Sequence, residues 1–172
     1  VATLALLAAV GFAQEEKDRL APYYPTPETI VDRMLQLGEL KAGETMFDLG
    51  SGDGRIVVMA ARKYKAKANG VEFDGDLVKL SQERIKMLGL DKTAKIIHGD
   101  ALAQDYSSAQ LLTVYLLPSS NDKVRPMLEA QLKKGTRIVC HDFEIGGWTP
   151  EKTVTIDDDG EGRAHTLYLY RR

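Results

Sequence analysis

Residues 47–57 read FDLGSGDGRIV, in which an aspartate is followed by glycines at alternate positions and then by an apolar segment. Gly50, Gly52 and Gly54 let the backbone adopt unusual torsion angles and approach a ligand without interference from a Cβ atom. The turn would deliver that ligand to the N-terminus of the helix that follows. This arrangement is typical of many nucleotide-binding sites, so the kind of ligand must be inferred from the neighbouring residues.

Two flanking residues narrow the chemistry of this ligand. A dinucleotide fingerprint requires a small residue at position 55, where this chain has Arg55, and the NAD interpretation is therefore weakened. Asp48, two residues before the first glycine, would repel a pyrophosphate and attract an ammonium group. S-adenosylmethionine fits this site, because it combines an amino-acid end, a nucleoside end and a sulfonium cation. Asp48 would then face its α-amino group.

With these residues the chain resembles the class I S-adenosylmethionine-dependent methyltransferases, whose first motif has the same acid-x-Gly-x-Gly-x-Gly form. The resemblance implies that Glu72, in GVEFD, accepts hydrogen bonds from both ribose hydroxyls. It also implies that Asp100, in HGDA, contacts the adenine amino group, with Ala101 and Leu102 beside the ring. One carboxylate at a strand end is as often a helix cap or a surface residue. Three at successive strand ends, together with the glycine turn, indicate a cofactor cleft.

The elements that must position these residues follow from the hydrophobic pattern. Short apolar runs typical of strands alternate with segments of helical periodicity, which predicts an α/β fold with a Rossmann-like, doubly wound, mainly parallel sheet. Alternation on both sides of DDDGEG predicts a C-terminal antiparallel β-hairpin. Thr26 and Asp76 are the expected N-caps of two helices. Ligands of such sheets bind at the carboxyl ends of the strands, where the strand order reverses.

The sequence around these motifs narrows the resemblance. PYYPTPETIV, GVEFDGDLV and HDFEIGGWTP make the chain similar to the small lysine N-methyltransferases that modify the mitochondrial adenine-nucleotide translocase and the ATP synthase c-subunit, a family with bacterial relatives. The resemblance implies that Tyr24, Pro25 and Thr26 lie over the cofactor, whereas the alternative is a plain helix start. It also implies that the loop bearing Trp148 borders the substrate, although a tryptophan there is more often a packing anchor. The complete set expected to bind the cofactor is Tyr24, Pro25, Thr26, Asp48, Gly50, Ser51, Gly52, Glu72, Phe73, Asp100, Ala101 and Tyr115.

The residues after the fourth predicted strand bear on the methyl acceptor. Nucleic-acid and glutamine N-methyltransferases carry an (Asn/Asp)-Pro-Pro-aromatic motif there, whereas residues 115–118 of this chain read YLLP. Methylation of a base or a glutamine is therefore disfavoured, and an amine such as a protein lysine is expected. An amine needs alignment, desolvation and loss of its proton. We hypothesise that Tyr115 and Glu144 take part in catalysis: Tyr115 would orient the amine, and Glu144, His141 or Asp142 would accept its proton.

Composition limits the alternatives. The chain has 172 residues and a formal net charge of −2, which fit one domain without a strong electrostatic footprint for nucleic acid. Its three histidines and one cysteine show no metal-ligand spacing, so no metal is expected. We expect a monomer that acts on a protein or small-molecule methyl acceptor. The competing interpretations are a methyltransferase of small metabolites and a non-catalytic nucleoside-binding protein of the same fold.

The N-terminus differs from the rest of the chain. Residues 1–13 are apolar and resemble a signal peptide or a membrane-tethering segment, residues 14–21 form a polar linker, and residues 22–172 form the methyltransferase domain. Cleavage of the signal would make the protein periplasmic or secreted. Without cleavage, the domain would be membrane-tethered or cytoplasmic. Export conflicts with the supply of S-adenosylmethionine, so the location stays open.

Overall fold

The computed structural model describes residues 20–172. Both the signal-like segment at residues 1–13 and residues 14–19 of the linker lie outside the described residues. Within the described range, no helix is sufficiently long and apolar for a membrane span. The elements are α1 (Glu28–Leu37), β1 (Thr45–Leu49), α2 (Arg55–Arg62), β2 (Lys67–Glu72), α3 (Gly75–Met87), β3 (Ala94–His98), a 3-10 turn (Ala101–Ala103), β4 (Leu111–Val114), α4 (Pro118–Gln131), β5 (Arg137–His141), β6 (Lys152–Ile156) and β7 (His165–Arg171).

The strands form one seven-stranded sheet in the order β3-β2-β1-β4-β5-β7-β6. Strands β1 to β5 pair in parallel, and β7 pairs antiparallel with both β5 and β6. The chain runs outward from β1 to β3 and then returns to the other side of β1 at β4. The predicted doubly wound sheet with its antiparallel C-terminal hairpin is thus confirmed. The strand order reverses between β1 and β4, and a ligand site is expected there.

Side chains of each strand alternate between two apolar layers, as the period of two in a strand requires. In β1, Met46 packs into the layer that contains α1 and α2, whereas Phe47 and Leu49 pack into the layer that contains α4. Asp48 lies between Phe47 and Leu49 and therefore points to the other face. Cys140 is fully buried, as expected of a structural thiol, and burial raises the pKa of that thiol.

Two of the predicted helix caps are wrong. Helix α1 begins at Glu28 with Pro27 as its N-cap and no capping side chain, because the Thr26 side chain instead contacts a histidine 115 residues away. Helix α3 is capped by Asp74, whose carboxylate accepts hydrogen bonds from the N–H groups of Asp76 and Leu77. Asp76 lies inside the first turn. Its negative charge still interacts favourably with the positive end of the helix dipole.

Candidate active site

A cleft lies over the carboxyl ends of β1, β2 and β4 and is covered by residues 20–26. All twelve residues predicted to bind the cofactor line it. The other lining residues are Leu20, Ala21, Pro22, Tyr23, Asp53, Arg55, Ile56, Val71, Leu77, Gly99 and Leu116. Leu102, expected beside the adenine, is not among them and packs partly buried against the α4 layer.

The glycine turn forms the floor of the cleft, and its glycines have positive φ angles. Gly54, with φ +77°, is the N-cap of α2. At Gly52, with φ +52°, an added Cβ would lie 2.8 Å from the ring of Tyr23. Glycine is therefore required here twice, for the left-handed backbone and for the close approach of the segment that covers the cleft.

An ion-pair network joins this turn to the covering segment. Asp53 is buried, pairs with Arg55 at 2.9 Å and pairs with Arg84 of α3 at 3.0 Å. Burial alone would raise the pKa of Asp53, but the two guanidinium groups outweigh burial and lower it. Arg55 also donates to the backbone carbonyl of Thr26 at 2.9 Å. The arginine that weakened the NAD interpretation thus holds the covering segment against the turn, a role that the sequence did not reveal.

Among the described residues of the cleft, Asp48 is the most deeply buried carboxylate that no cation neutralises. Burial is the main cause that raises its pKa to about 7, and the nearby charges of Glu72 and Asp53 raise it further. A hydrogen bond from Thr113 Oγ1 at 2.7 Å opposes this shift. A positively charged ligand beside Asp48 would supply the missing counter-charge and favour the ionised form.

Glu72 and Asp100 serve the fold and the cleft together. Glu72 accepts hydrogen bonds from the N–H groups of Gly52 at 2.7 Å and Asp74 at 2.9 Å. Asp100 caps the 3-10 turn by accepting from Leu102 N–H at 2.8 Å. A carboxylate has about four acceptor positions, so both groups retain capacity for ligand hydroxyl or amino groups. The helix-cap alternative and the ligand-binding prediction are therefore compatible.

Tyr115 marks the opposite end of the cleft. Its ring lies 3.9 Å from that of His141 and 6.3 Å from that of Phe143, between centroids. Burial, with a smaller contribution from the charge of Asp142, raises the Tyr115 pKa. The hydroxyl is therefore protonated at neutral pH and can donate a hydrogen bond.

Two other residues predicted near the acceptor lie away from the cleft lining. Glu144 is exposed. Trp148 donates to Glu129 at 2.7 Å, lies edge-on to Tyr170 and carries Arg172 over its ring. These contacts match the packing-anchor alternative for the tryptophan.

The structure also places His165, which the sequence did not indicate, beside His141 and Asp142, two of the residues hypothesised to accept the proton. We call His141, Asp142 and His165 the histidine cluster; its two imidazoles are buried behind Tyr115 at the junction of β5 and β7. Burial, with a smaller contribution from His165, lowers the pKa of His141 to about 4, although Asp142 opposes the shift. His141 and His165 are far apart in sequence and become neighbours only through the antiparallel pairing of β5 with β7. No local spacing could have revealed them.

The cleft suits S-adenosylmethionine: it is acidic near the glycine turn, where Asp48 lacks a cation among the described residues, and apolar beside Val71, Phe73 and Ala101. Together with the doubly wound sheet and its terminal hairpin, this site defines a class I S-adenosylmethionine-dependent methyltransferase. The sequence model of the family described as the ANTKMT methyltransferase domain matches residues 48–152. The chain belongs to this family, as the sequence motifs predicted.

Individual relatives agree with this assignment. A protein-lysine N-methyltransferase of Saccharolobus islandicus is 39% identical over 150 residues, which cover 87% of this chain and 92% of that protein. An ATP synthase c-subunit lysine N-methyltransferase of Mus musculus is 29% identical over 87% of this chain, which spans 57% of the mouse protein. The crystal structure of an RNA methyltransferase from Salinibacter ruber in complex with S-adenosyl-L-homocysteine has a TM-score of 0.79 and 43% identity, covering 86% of this chain and 93% of that chain. The cofactor of this methyltransferase is S-adenosylmethionine.

Proposed function

We propose that the chain transfers a methyl group from S-adenosylmethionine to the side-chain amine of a lysine in a protein. The observation that carries the proposal is the similarity to the protein-lysine N-methyltransferase of Saccharolobus islandicus, because the match extends over 92% of that protein. The similarity to the mouse enzyme named for a lysine of the ATP synthase c-subunit supports the same acceptor chemistry.

The proposed roles divide along the cleft. Asp48 would face the ammonium group of the cofactor, Glu72 the ribose hydroxyls and Asp100 the adenine amino group. When bound, S-adenosylmethionine supplies a methyl group activated by a sulfonium cation. A cation in an acidic, partly dry cleft is stabilised most by the carboxylates that water screens least. The buried Asp48 would therefore contribute more binding free energy per contact than the exposed Asp100.

The end of the cleft beside Tyr115 suits an amine acceptor better than an acceptor that needs a strong general base. Tyr115 has a raised pKa and lies beside the aromatic ring of Phe143. Tyr24, on the covering segment, is exposed and contacts Arg163. Aromatic rings can accommodate the apolar stem of a lysine and attract its ammonium group. Once the amine has lost its proton, alignment and desolvation supply most of the remaining acceleration.

RNA is the second candidate acceptor, because the solved structure that is 43% identical to this chain is that of an RNA methyltransferase. Two features of this chain speak against RNA. Its formal net charge is −2, whereas binding to phosphates depends on clustered Lys and Arg. It also has YLLP at residues 115–118, where base methyltransferases carry an amide or a carboxylate.

Methyl transfer into a cell lysate separates these acceptors. The enzyme is incubated with S-adenosylmethionine labelled on its methyl group and a lysate divided into an RNase-treated protein fraction, a protease-treated RNA fraction and a small-molecule filtrate. We expect label in protein, and methyl-lysine on mass spectrometry of the labelled band. Label that stays in the RNA or the filtrate would contradict the proposal. Absence of label in every fraction, with S-adenosylmethionine bound, would favour the non-catalytic alternative.

A variant serves as the control for enzyme-dependent labelling. Glu72→Gln should abolish incorporation in whichever fraction carries label, because it removes a charged acceptor from the cofactor cleft. Glu83→Gln, on the exposed side of α3, is the matched control and should leave incorporation unchanged. Label that persists with Glu72→Gln would mean either that Glu72 is not needed for turnover or that another enzyme supplies the activity, and the same assay without added protein separates these two explanations.

A further inference from the structure

The three side chains of the histidine cluster converge on one point. His141 Nε2 lies 2.9 Å from His165 Nδ1 and 3.3 Å from Asp142 Oδ2, and His165 Nδ1 lies 3.2 Å from the same oxygen. Zinc binds nitrogen and oxygen ligands at about 2.0–2.2 Å, which separates neighbouring ligand atoms by about 3.3–3.6 Å in a tetrahedral site. The two contacts of Asp142 lie close to this spacing, and the two imidazole nitrogens would need to separate by about 0.4 Å more to hold the ion.

The outer nitrogen of each imidazole is held by a separate partner. His165 Nε2 lies 3.1 Å from Asp159 Oδ2, and His141 Nδ1 lies 3.3 Å from Thr26 Oγ1. The Asp159 carboxylate also accepts two backbone N–H groups, so it acts as an acceptor toward His165. Metal-bound histidines almost always donate their second N–H to a carboxylate, carbonyl or water, which fixes the ring orientation.

The outer contacts leave one nitrogen of each imidazole facing inward. With Asp159 at His165 Nε2 and Thr26 at His141 Nδ1, the inner atoms are His165 Nδ1 and His141 Nε2, and Asp142 Oδ2 lies close to both. A metal cation beside these three atoms would contact all of them at once, whereas a purely hydrogen-bonded cluster would be held together by protons on the imidazoles.

The backbone at Asp142 is also unusual. Its φ of +59° is uncommon for a residue other than glycine, and the residue directly follows β5. The carboxylate is fixed there, because its Oδ1 accepts from Thr166 N–H at 2.9 Å while Oδ2 faces the imidazoles. A strained conformation that points a carboxylate at two buried imidazoles favours a ligand over simple packing. The Asp142 side chain is 26% exposed, so the site has an opening toward solvent.

We propose that His141, Asp142 and His165 bind one divalent transition-metal ion, with Zn²⁺ as the reference ion. Two imidazoles with one carboxylate suit Zn²⁺, Co²⁺, Ni²⁺ or Fe²⁺ better than Mg²⁺ or Ca²⁺, which prefer oxygen ligands. The ion would tie the end of β5 to the start of β7 and, through Thr26, to the segment that covers the cofactor cleft. The site does not depend on the identity of the methyl acceptor.

Metal titration of the full chain tests the site. Protein purified without a histidine tag is stripped with a chelator and titrated with Zn²⁺ by calorimetry, and with Co²⁺ while its visible absorption is recorded. We expect one Zn²⁺ per chain and a ligand-field spectrum with Co²⁺ that Zn²⁺ abolishes. Asp142→Asn and His165→Gln should each weaken Zn²⁺ binding more than about tenfold. His98→Gln replaces the remaining histidine, which lies outside the cluster, and should leave it unchanged.

Two variants and a folding control allow a loss of Zn²⁺ binding to be attributed to the loss of a ligand. His165 is buried, so circular dichroism must show that His165→Gln is folded; Asp142→Asn is the second variant, since asparagine tolerates a positive φ and still offers an oxygen to Thr166 N–H. The proposal fails if stripped protein shows no saturable Zn²⁺ binding, as a cluster held by hydrogen bonds alone predicts. It also fails if folded Asp142→Asn binds Zn²⁺ as tightly as the unchanged protein, or if His98→Gln abolishes binding.

Discussion

The cofactor end of the cleft, formed by Asp48, Glu72 and Asp100, and the histidine cluster are both polar sites at the carboxyl edge of the same sheet. They are built in opposite ways. Each carboxylate of the cofactor end belongs to a strand or to the loop directly after it. The histidine cluster joins residues 141 and 142 to residue 165 through strand pairing and is completed by Thr26, from the covering segment. The first site is therefore encoded in short motifs and the second only in the topology.

The two sites share one electrostatic property. Burial raises the pKa of Asp48 to about 7 and lowers that of His141 to about 4, so in each site burial favours the neutral form of the titratable group. At the cofactor end, a cationic ligand would favour the ionised form of Asp48. This difference between the ligand-free and ligand-bound states can be measured, and the following predictions test it in order of decreasing effect.

Loss of Glu72 should have the largest effect. Glu72→Ala removes a charged acceptor from the cleft and also releases the Gly52 and Asp74 N–H groups. Hydrogen bonds to charged groups contribute about 1.5–3 kcal/mol each, so S-adenosylmethionine affinity should fall roughly 100-fold or more. Calorimetry with Glu83→Ala as the exposed control measures this. If Glu72→Ala binds S-adenosylmethionine with unchanged affinity, Glu72 does not contact the cofactor and the proposed cofactor end is wrong.

The substitution Asp48→Asn should change how the free energy of unfolding depends on pH. The pKa of Asp48 rises from an ordinary 3.8 to about 7 in the folded protein, so its contribution to stability is complete below about pH 4 and is lost as the pH rises to about 7. At about 1.4 kcal/mol per pKa unit, the ligand-free variant should gain up to about 4 kcal/mol relative to the unchanged protein across that range. Urea unfolding at several pH values measures the difference. A difference that does not vary with pH would contradict the buried, neutral carboxylate.

Gly52→Ala should separate backbone strain from crowding in the cleft. Gly52 and Gly43 both have positive φ, but an added Cβ meets the Tyr23 ring only at Gly52, whereas the space at Gly43 is open. Each alanine substitution should lower the free energy of unfolding by about 1 kcal/mol, because alanine disfavours the left-handed backbone conformation. Only Gly52→Ala should also weaken cofactor binding, by about tenfold, as Tyr23 is displaced. Equal losses of affinity in the two variants would show that the covering segment is irrelevant to binding.

Tyr115 and Glu144 should give the smallest effects, and unequal ones. Tyr115→Phe removes a hydroxyl at the cleft and should lower kcat by roughly 10-fold with little change in cofactor affinity. Glu144→Gln, which changes an exposed side chain outside the cleft lining, should alter kcat less than about twofold. Steady-state kinetics on the protein acceptor measures both. A larger loss for Glu144→Gln would restore Glu144 to the role hypothesised from the sequence.

The sequence predicted the fold, and it named residues that the structure brings together in one cleft, because both depend on local patterns. A strand followed by an acid and a glycine turn defines its own geometry, so the twelve predicted residues meet in one cleft. Helix capping was harder to predict, since Asp74 and Asp76 lie two residues apart and only the path of the loop after β2 selects Asp74.

Long-range partners were beyond prediction. Nothing near Asp53 indicates that Arg84 of α3 will neutralise it. The spacing of the three histidines likewise gave no reason to expect a metal, because the antiparallel register of β5 and β7 is what brings His141 to His165. Tertiary pairing, and not residue spacing, determined these contacts.

Proton release on cofactor binding tests the central claim, that the cofactor end is built for a cation, most directly. Calorimetric titration with S-adenosylmethionine near pH 7, repeated in buffers of different ionisation enthalpy, gives the number of protons released. At pH 7 the unchanged protein should release about half a proton more than Asp48→Asn, and its affinity should rise with pH up to about 7 and then level off, because binding ionises a carboxylate whose pKa is about 7. Identical proton release by the two proteins would contradict the account.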